Sequence, residues 1–182
     1  AALLFGLSSR VLVTVCVRPF RAGRCICSAA GGPEPLKVLA PPPRIAATNR
    51  FVVLSDLHVK SDTLRTALQA LRAAHGAAVA RNAGILFCGD FWHARGAIPV
   101  HLLHHVLREL ETWTQPVIMF PGNHDMVNRV GDEQSLTPLA TTLGAENCLL
   151  VTKPAVFMNA LFVPYLARVE ATLKELRSAQ SR

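Results

Sequence analysis

Several features of other protein classes are missing from this sequence of 182 residues. Its apolar run Val11 to Val17 is far shorter than the ~20 residues that a membrane helix needs, and arginines flank it. Its five cysteines show no paired spacing typical of a zinc site. No repeat or coiled-coil pattern is present. These absences argue against a membrane span, a cysteine-based zinc module and a coiled coil.

Acidic residues are absent from residues 1–31, which carry arginines, three serines and many alanines. This composition is typical of an organellar transit peptide. Arg24 to Ala29 is similar to plastid processing sites, which favours a plastid (chloroplast) location, with the mitochondrion as the alternative. A secretory signal and a plain disordered tail are the other interpretations. Residues 32–49 hold five prolines between Pro33 and Pro43, and we expect a Pro-rich linker there.

The formal net charge is +7, but the first 48 residues account for most of it. They contain six Lys or Arg and one acidic residue, whereas residues 49–182 contain thirteen basic and eleven acidic residues. Because the remaining chain is nearly balanced, the overall charge is no evidence for nucleic-acid binding. Just over half of all residues are apolar, which predicts a globular domain over residues 50–182.

Three apolar runs end abruptly in polar residues. Phe51 to Ser55 is followed by Asp56-Leu57-His58, Gly84 to Gly89 by Asp90-Phe91-Trp92-His93, and Gln115 to Gly122 by Asn123-His124-Asp125. Such short runs, separated by helical segments, predict the parallel sheet of an α/β fold. Because ligands gather at the carboxyl ends of parallel strands, we expect the three polar clusters to meet.

Apolar spacing predicts the remaining elements. We expect one helix after Asp62, as its N-cap, to about Arg81, and a second from Pro99 to near Trp113. The later segments are a short helix ended by Gly144, strands at Cys148–Thr152, Ala155–Met158 and Leu161–Val163, and a last helix marked by Val169, Leu173 and Leu176.

His101 and His105 share a helix face and are an alternative metal pair, although a solvated face is preferred. Phe91 and Trp92 are expected to pack beneath the site.

The residue types at the strand ends favour a metal centre. Two carboxylates (Asp56, Asp90), an amide (Asn123) and imidazoles (His58, His124 and, as a further candidate, His93) are mixed oxygen and nitrogen ligands, which suit Mn, Fe or Zn better than Ca or Mg. A carboxylate from the middle strand can bridge two ions about 3.5–4 Å apart, as in two-metal phosphoesterases. The alternative is that these are ordinary strand-end caps and turn residues.

The ordered triple Asp56-x-His58, Gly89-Asp90 and Gly122-Asn123-His124-Asp125 resembles the first three motifs of the calcineurin-like metallophosphoesterases. Gly89 to Arg95 and Phe162 to Tyr165 are similar to segments of the double-strand-break repair exonuclease (SbcD-like) branch. The resemblance implies a four-layer sandwich and two divalent ions (Mn, Fe or Zn). It implies hydrolysis of a phosphodiester substrate, with DNA as the candidate.

The resemblance also implies a role for each residue. Asp56 and His58 would hold the first metal, Asp90 would bridge, and Asn123 would hold the second metal through its oxygen. His124 would stabilise the transition state or protonate the leaving oxygen, with Asp125 orienting its imidazole. His93 would contact the substrate.

The sequence departs from the family after His124, because it contains no further histidine. The family fold uses one histidine in a later strand-end motif and two in a Gly-His-x-His. The resemblance therefore covers the first half to two thirds of a catalytic domain, which suggests a fragment of a longer product. The alternatives are a phosphatase or nucleotide phosphodiesterase of the same superfamily, or a non-catalytic remnant.

Overall fold

The structure of the chain is a computed structural model that describes residues 13–16, 37–128, 133–158 and 160–166. Its strands are β1 (Val13–Cys16), β2 (Lys37–Val38), β3 (Arg50–Leu54), β4 (Gly84–Phe87), β5 (Val117–Met119), β6 (Cys148–Leu150), β7 (Ala155–Phe157) and β8 (Ala160–Phe162). Its helices are α1 (Pro43–Ala46), α2 (Leu64–Ala80), α3 (Val100–Leu110) and α4 (Thr137–Leu143). Most of the predicted transit peptide and the predicted last helix lie outside the described residues.

The main sheet has five strands in the spatial order β1, β3, β4, β5 and β6. β3 to β6 run parallel to one another, and β1 pairs antiparallel with β3 at one edge. The inner strands are almost continuously apolar, and β5 is buried at every position, as expected for parallel strands covered on both faces. The predicted α/β class with a parallel sheet is confirmed.

The helices that cover this sheet follow their predicted patterns. The buried residues of α2 recur every three or four positions, which places one face on the sheet: Ala67, Leu71, Ala74 and Ala78. α3 starts directly after Pro99 and α4 ends before Gly144, both as expected. Asp62 is not the N-cap of α2, because it lies in a 3₁₀ turn before the helix, and its carboxylate pairs with Lys60 at 3.1 Å.

A second, smaller sheet contains β2, β7 and β8. β2 pairs parallel with β7, and β7 pairs antiparallel with β8. α1 has Pro43 in its first turn, where the missing N–H costs nothing, and its Ile45 is fully buried in a cluster with Phe51, Ile118, Val151 and Phe157. Part of the predicted linker, residues 37–46, therefore packs against the domain in this structure.

Among the described residues, no helix has the length and apolar character that crossing a membrane requires.

Candidate metal centre

The loops that follow β3 and β4 continue side by side beyond the strands. The main-chain N–H of Asp56 donates to Gly89 O, that of His58 to Asp90 O and that of Val59 to Phe91 O, at 3.0, 3.0 and 2.8 Å. This ladder fixes the two loops relative to each other, so two segments more than thirty residues apart present their side chains at the same place.

Asp56, His58 and Asp90 form the candidate metal cluster. Each offers one ligand atom, and these three atoms lie within 4.8 Å of one another. No other group of three or more His, Cys, Asp or Glu in the described segments has comparable spacing. His58 Nε2 lies 3.7 Å from Asp56 Oδ1. The cluster confirms that the first two predicted strand ends meet.

The backbone of all three cluster residues is in the left-handed region, with φ of 56° at Asp56, 44° at His58 and 57° at Asp90. Residues other than glycine adopt this conformation at a cost of order 1–3 kcal/mol each, and such residues cluster at functional sites. The inter-loop hydrogen bonds hold the strained residues in place. The strain is therefore concentrated where the three ligand atoms converge.

The residues present fit a transition-metal ion. Two carboxylate groups and an imidazole are the mixed donor set that suits Mn, Fe or Zn. Of the two ring nitrogens of His58, Nε2 faces Asp56, and the buried Nδ1 has no hydrogen-bond partner among the described residues. A cation at the cluster would use an imidazole lone pair and separate the two negative carboxylates.

Two glycines let the ends of β4 and β5 approach closely. A Cβ added to Gly122 would lie 2.3 Å from Asp90 Oδ1, and one added to Gly89 would lie 2.4 Å from Gly122 N. Gly89 also has a φ of 89°. Only glycine fits at either position, which explains why Gly precedes both Asp90 and Asn123.

The Asn123 amide lies between Asp90 and Arg95. In the orientation that satisfies both ends of the amide, its nitrogen donates to Oδ2 and Oδ1 of Asp90 at 3.1 and 3.2 Å, and its oxygen accepts from an Arg95 guanidinium nitrogen at 2.7 Å. Asn123 is thus next to the predicted bridging carboxylate. A metal ion beside Asp90 would favour the opposite orientation, in which the amide oxygen is directed to the ion, as the predicted ligand role requires, and Arg95 is released. Arg95 has no place in the sequence prediction, although it ends the segment Gly89 to Arg95.

Asp125 is completely buried, and its carboxylate binds main-chain N–H groups. Oδ1 accepts from Phe91 N and Trp92 N at 2.9 and 3.2 Å, and Oδ2 accepts from Gly122 N at 2.9 Å. Burial raises the pKa of this carboxyl group, against the opposing effect of the N–H donors. The family resemblance implied that Asp125 orients the imidazole of His124. In the structure it joins the loops after β4 and β5 instead.

His124 is oriented by a main-chain carbonyl. Its Nδ1 lies 2.9 Å from His93 O, and its own N–H donates to Asp90 Oδ1 at 2.9 Å. The His124 ring centroid is 4.7 Å from that of His58 and 6.0 Å from that of His93. The predicted catalytic and substrate-contacting imidazoles are therefore beside the metal cluster. The sequence could not indicate this role of the His93 carbonyl, because every residue has a main-chain carbonyl group.

The sequence model of calcineurin-like phosphoesterases matches residues 49–163, more than half of the chain. The chain belongs to the calcineurin-like phosphoesterase family. Its members are hydrolases that act on phosphate esters and normally bind divalent metals, which agrees with the predicted class of enzyme and with the cluster described above. A comparison with curated proteins finds none that matches the chain.

Other residues considered from the sequence are not among the ligand atoms of the cluster. His101 and His105 are exposed on α3, while Phe91 and Trp92 are buried as packing, as expected. Burial raises the pKa of the Cys88 thiol to about 11 and of the Cys148 thiol to about 12. Both therefore remain protonated near neutral pH and act as small apolar side chains.

Proposed function

We propose that this phosphoesterase hydrolyses phosphodiester bonds of nucleic acid, with DNA as the substrate, and that His124 is its general acid. The observation that carries the proposal is the position of the His124 imidazole beside the Asp56, His58 and Asp90 cluster. Two divalent ions, of Mn, Fe or Zn, would supply Lewis-acid activation of phosphate and water when bound. Asp56, His58, Asp90 and Asn123 would hold them.

The His93 carbonyl defines how His124 would work. Because a carbonyl only accepts, Nδ1 of His124 carries the proton in this contact. Nε2 is then the atom that can hold a second proton and donate it to the leaving oxygen. Imidazole suits this transfer because it exchanges protons near neutral pH. The N–H of His124 on Asp90 keeps the ring next to the metal ligands.

Two segments that resemble the repair exonuclease branch come to the same side of the sheet, which supports a DNA substrate. His93 belongs to the first and lies beside His58, with ring centroids 5.9 Å apart. The second contains Tyr165, whose main-chain N–H donates to Pro121 O at 3.0 Å, next to the end of β5. Tyr165 is 40% exposed and can meet a substrate there.

Replacement of His124 by alanine tests the general-acid role. We expect His124→Ala to slow Mn²⁺-dependent cleavage of a DNA oligonucleotide by about 10²–10⁴-fold. Hydrolysis of bis(p-nitrophenyl) phosphate should fall less, because nitrophenolate leaves without being protonated. Mn²⁺ affinity, measured by calorimetry, should change little, because His124 is not among the proposed ligands.

The control variant is His101→Ala, which removes an exposed imidazole from α3 and should leave both rates unchanged. Equal losses on the two substrates would contradict the general-acid role. Turnover of p-nitrophenyl phosphate with no cleavage of single- or double-stranded DNA would instead indicate a phosphatase.

A further inference from the structure

The charged residues of the helix layer are segregated by sign. α2 contains Arg65 and Arg72 and no acidic residue, and α3 contains Arg108 with three histidines and a single acid, Glu109. Glu109 is only 9% exposed and is paired with Arg72. Within α2 and α3 themselves, the exposed surface therefore carries positive charge and imidazoles, and the adjoining exposed carboxylates are Asp62 before α2 and Glu111 at the C-cap of α3. The nearly balanced charge of residues 49–182 conceals this asymmetry.

A groove of about 640 Å³ runs along this surface between α2 and α3. Apart from apolar and small residues, its lining contains basic side chains and one buried acid: Arg72, His75, His104, His105, Arg108 and Glu109. The rings of His104 and His105 lie 5.7 Å apart, and both residues are exposed. We refer to these residues as the α2–α3 groove. Its chemistry suits an anionic ligand.

Glu109 cancels one of the two arginine charges in the groove, and it also fixes the position of that guanidinium. Arg72 Nε donates to Glu109 Oε2 at 2.7 Å, while the Arg72 side chain remains 63% exposed. The ion pair uses Nε, so the two terminal nitrogens of Arg72 are available to another acceptor. A guanidinium held in this way can bind a phosphate through two parallel hydrogen bonds.

The first turn of α3 contacts the segment that follows His58. At the first turn of α3, His101 Nε2 lies 3.3 Å from Ser61 Oγ, in the loop that begins at His58. Arg108 lies seven residues further along the helix, about 10 Å away along its axis. The α3 residues that line the groove therefore lie on later turns than His101, which is not part of the lining.

We propose that the α2–α3 groove binds the phosphate backbone of a nucleic-acid strand outside the metal centre. The choice of a nucleic acid over another polyanion rests on the proposed function. The described lining of the groove offers cations and imidazole N–H groups but no Phe, Tyr or Trp side chain on which bases could stack. The contacts are therefore to phosphates, and binding should depend strongly on salt and little on base sequence.

Salt-dependent binding of a fluorescein-labelled oligonucleotide to the full 182-residue chain tests this proposal. Anisotropy is measured in EDTA, where no turnover occurs. We expect Arg108→Gln to weaken binding several-fold and to lower the slope of log K against log salt by about 0.7, one contact to a single strand. Adding His104→Gln and His105→Gln should weaken binding further. Arg72 is not replaced, because its loss would leave the buried carboxylate of Glu109 without its ionic partner.

Arg81→Gln is the matched control. It removes the same charge from the end of α2, nine residues and about half a helical circumference from Arg72, and Arg81 does not line the groove. Its binding curve should equal that of the wild type. An equal effect of Arg81→Gln and Arg108→Gln would overturn the proposal, because binding would then reflect overall charge.

Two competitors identify the ligand. Unlabelled DNA and RNA strands should each displace the probe. The nucleic acid that displaces it at the lower concentration is the one that the groove prefers. Displacement by poly-glutamate at least as effective as by DNA would assign the groove to an acidic protein and reject the nucleic acid. Binding without any phosphodiesterase activity would contradict the proposed function alone, and activity without groove-dependent binding would contradict this proposal alone.

Discussion

Asp125 has a carboxylate with three main-chain donors and no contact with solvent. In Asp125→Asn, one end of the amide can only donate, so at least one of these N–H groups loses its acceptor. A buried donor left without a partner costs about 1–3 kcal/mol. We expect urea unfolding to show a loss of that size and a lower midpoint.

Glu146→Gln makes the same change of charge at an exposed position and is the control for Asp125→Asn. Its free energy of unfolding should stay within about 0.5 kcal/mol of the wild type. Similar losses in the two variants would show that Asp125 stabilises the loops only through its charge.

The sequence predicted which residues reach the site better than it predicted their contacts. Asp56, His58 and Asp90 were predictable because each follows an apolar strand, and parallel strands place their carboxyl ends together. The partners of Asp125 and His124 were not, because they depend on the path of each turn. Two residues that are adjacent in sequence, such as His124 and Asp125, need not have side chains that contact each other.

Elements with an apolar pattern of their own were predicted, whereas the two-residue strand β2 was not. α2 and α3 have repeating apolar residues that specify a helix by themselves. β2 has only two residues, and it exists because it pairs with β7, more than a hundred residues later. The prolines before α1 indicated a linker, although Pro43 is suited to start a helix.

The contact of α2 with the turn after α3 should make stability depend on pH. His75 stacks on Trp113 with ring centroids 5.4 Å apart, and its Nε2 accepts from Thr114 N at 3.1 Å. Burial lowers the pKa of His75, against the opposing effect of Glu109. The folded state therefore favours the neutral ring. The stabilisation that the neutral His75 ring provides is fully present above the pKa of this histidine in the unfolded chain, about 6.5. It is lost as the pH falls through the lower pKa of His75 in the folded chain.

His75→Gln removes that titration and should flatten the fall in melting temperature between neutral and mildly acidic pH. Melting curves across this range, compared with His105→Gln on the neighbouring exposed face, provide the measurement. If both variants follow the wild-type curve, the acid sensitivity arises from other groups.

The distribution of charge over the surface of the molecule could not be deduced from its net charge. Residues 49–182 are nearly balanced, yet the helix layer is basic while two carboxylates, Asp56 and Asp90, face each other at the cluster. Only the fold determines which charges share a surface. The same argument applies to function: the metal cluster and the α2–α3 groove each combine residues from segments that are distant in sequence.

Binding at the cluster should stabilise the whole fold, because the ligands come from the loops after β3 and β4 and are together only in the folded chain. An ion that binds the native state alone adds about 2.7 kcal/mol when its concentration is ~100 times Kd. For a domain of this size we expect Mn²⁺ to raise Tm by roughly 5–10 °C, and EDTA to reverse the rise.

Asp90→Asn should abolish the Mn²⁺-dependent rise in Tm. In EDTA its Tm should change little, because the lost repulsion from Asp56 offsets the lost acceptor for the Asn123 amide. The amide oxygen can still accept from His124 N. Asp62→Asn, at an exposed carboxylate that pairs only with Lys60 in the described structure, should keep the full rise. A rise retained by Asp90→Asn would place the stabilising ion elsewhere. A rise lost only in Asp90→Asn would make metal binding and folding one coupled equilibrium, measurable without any substrate.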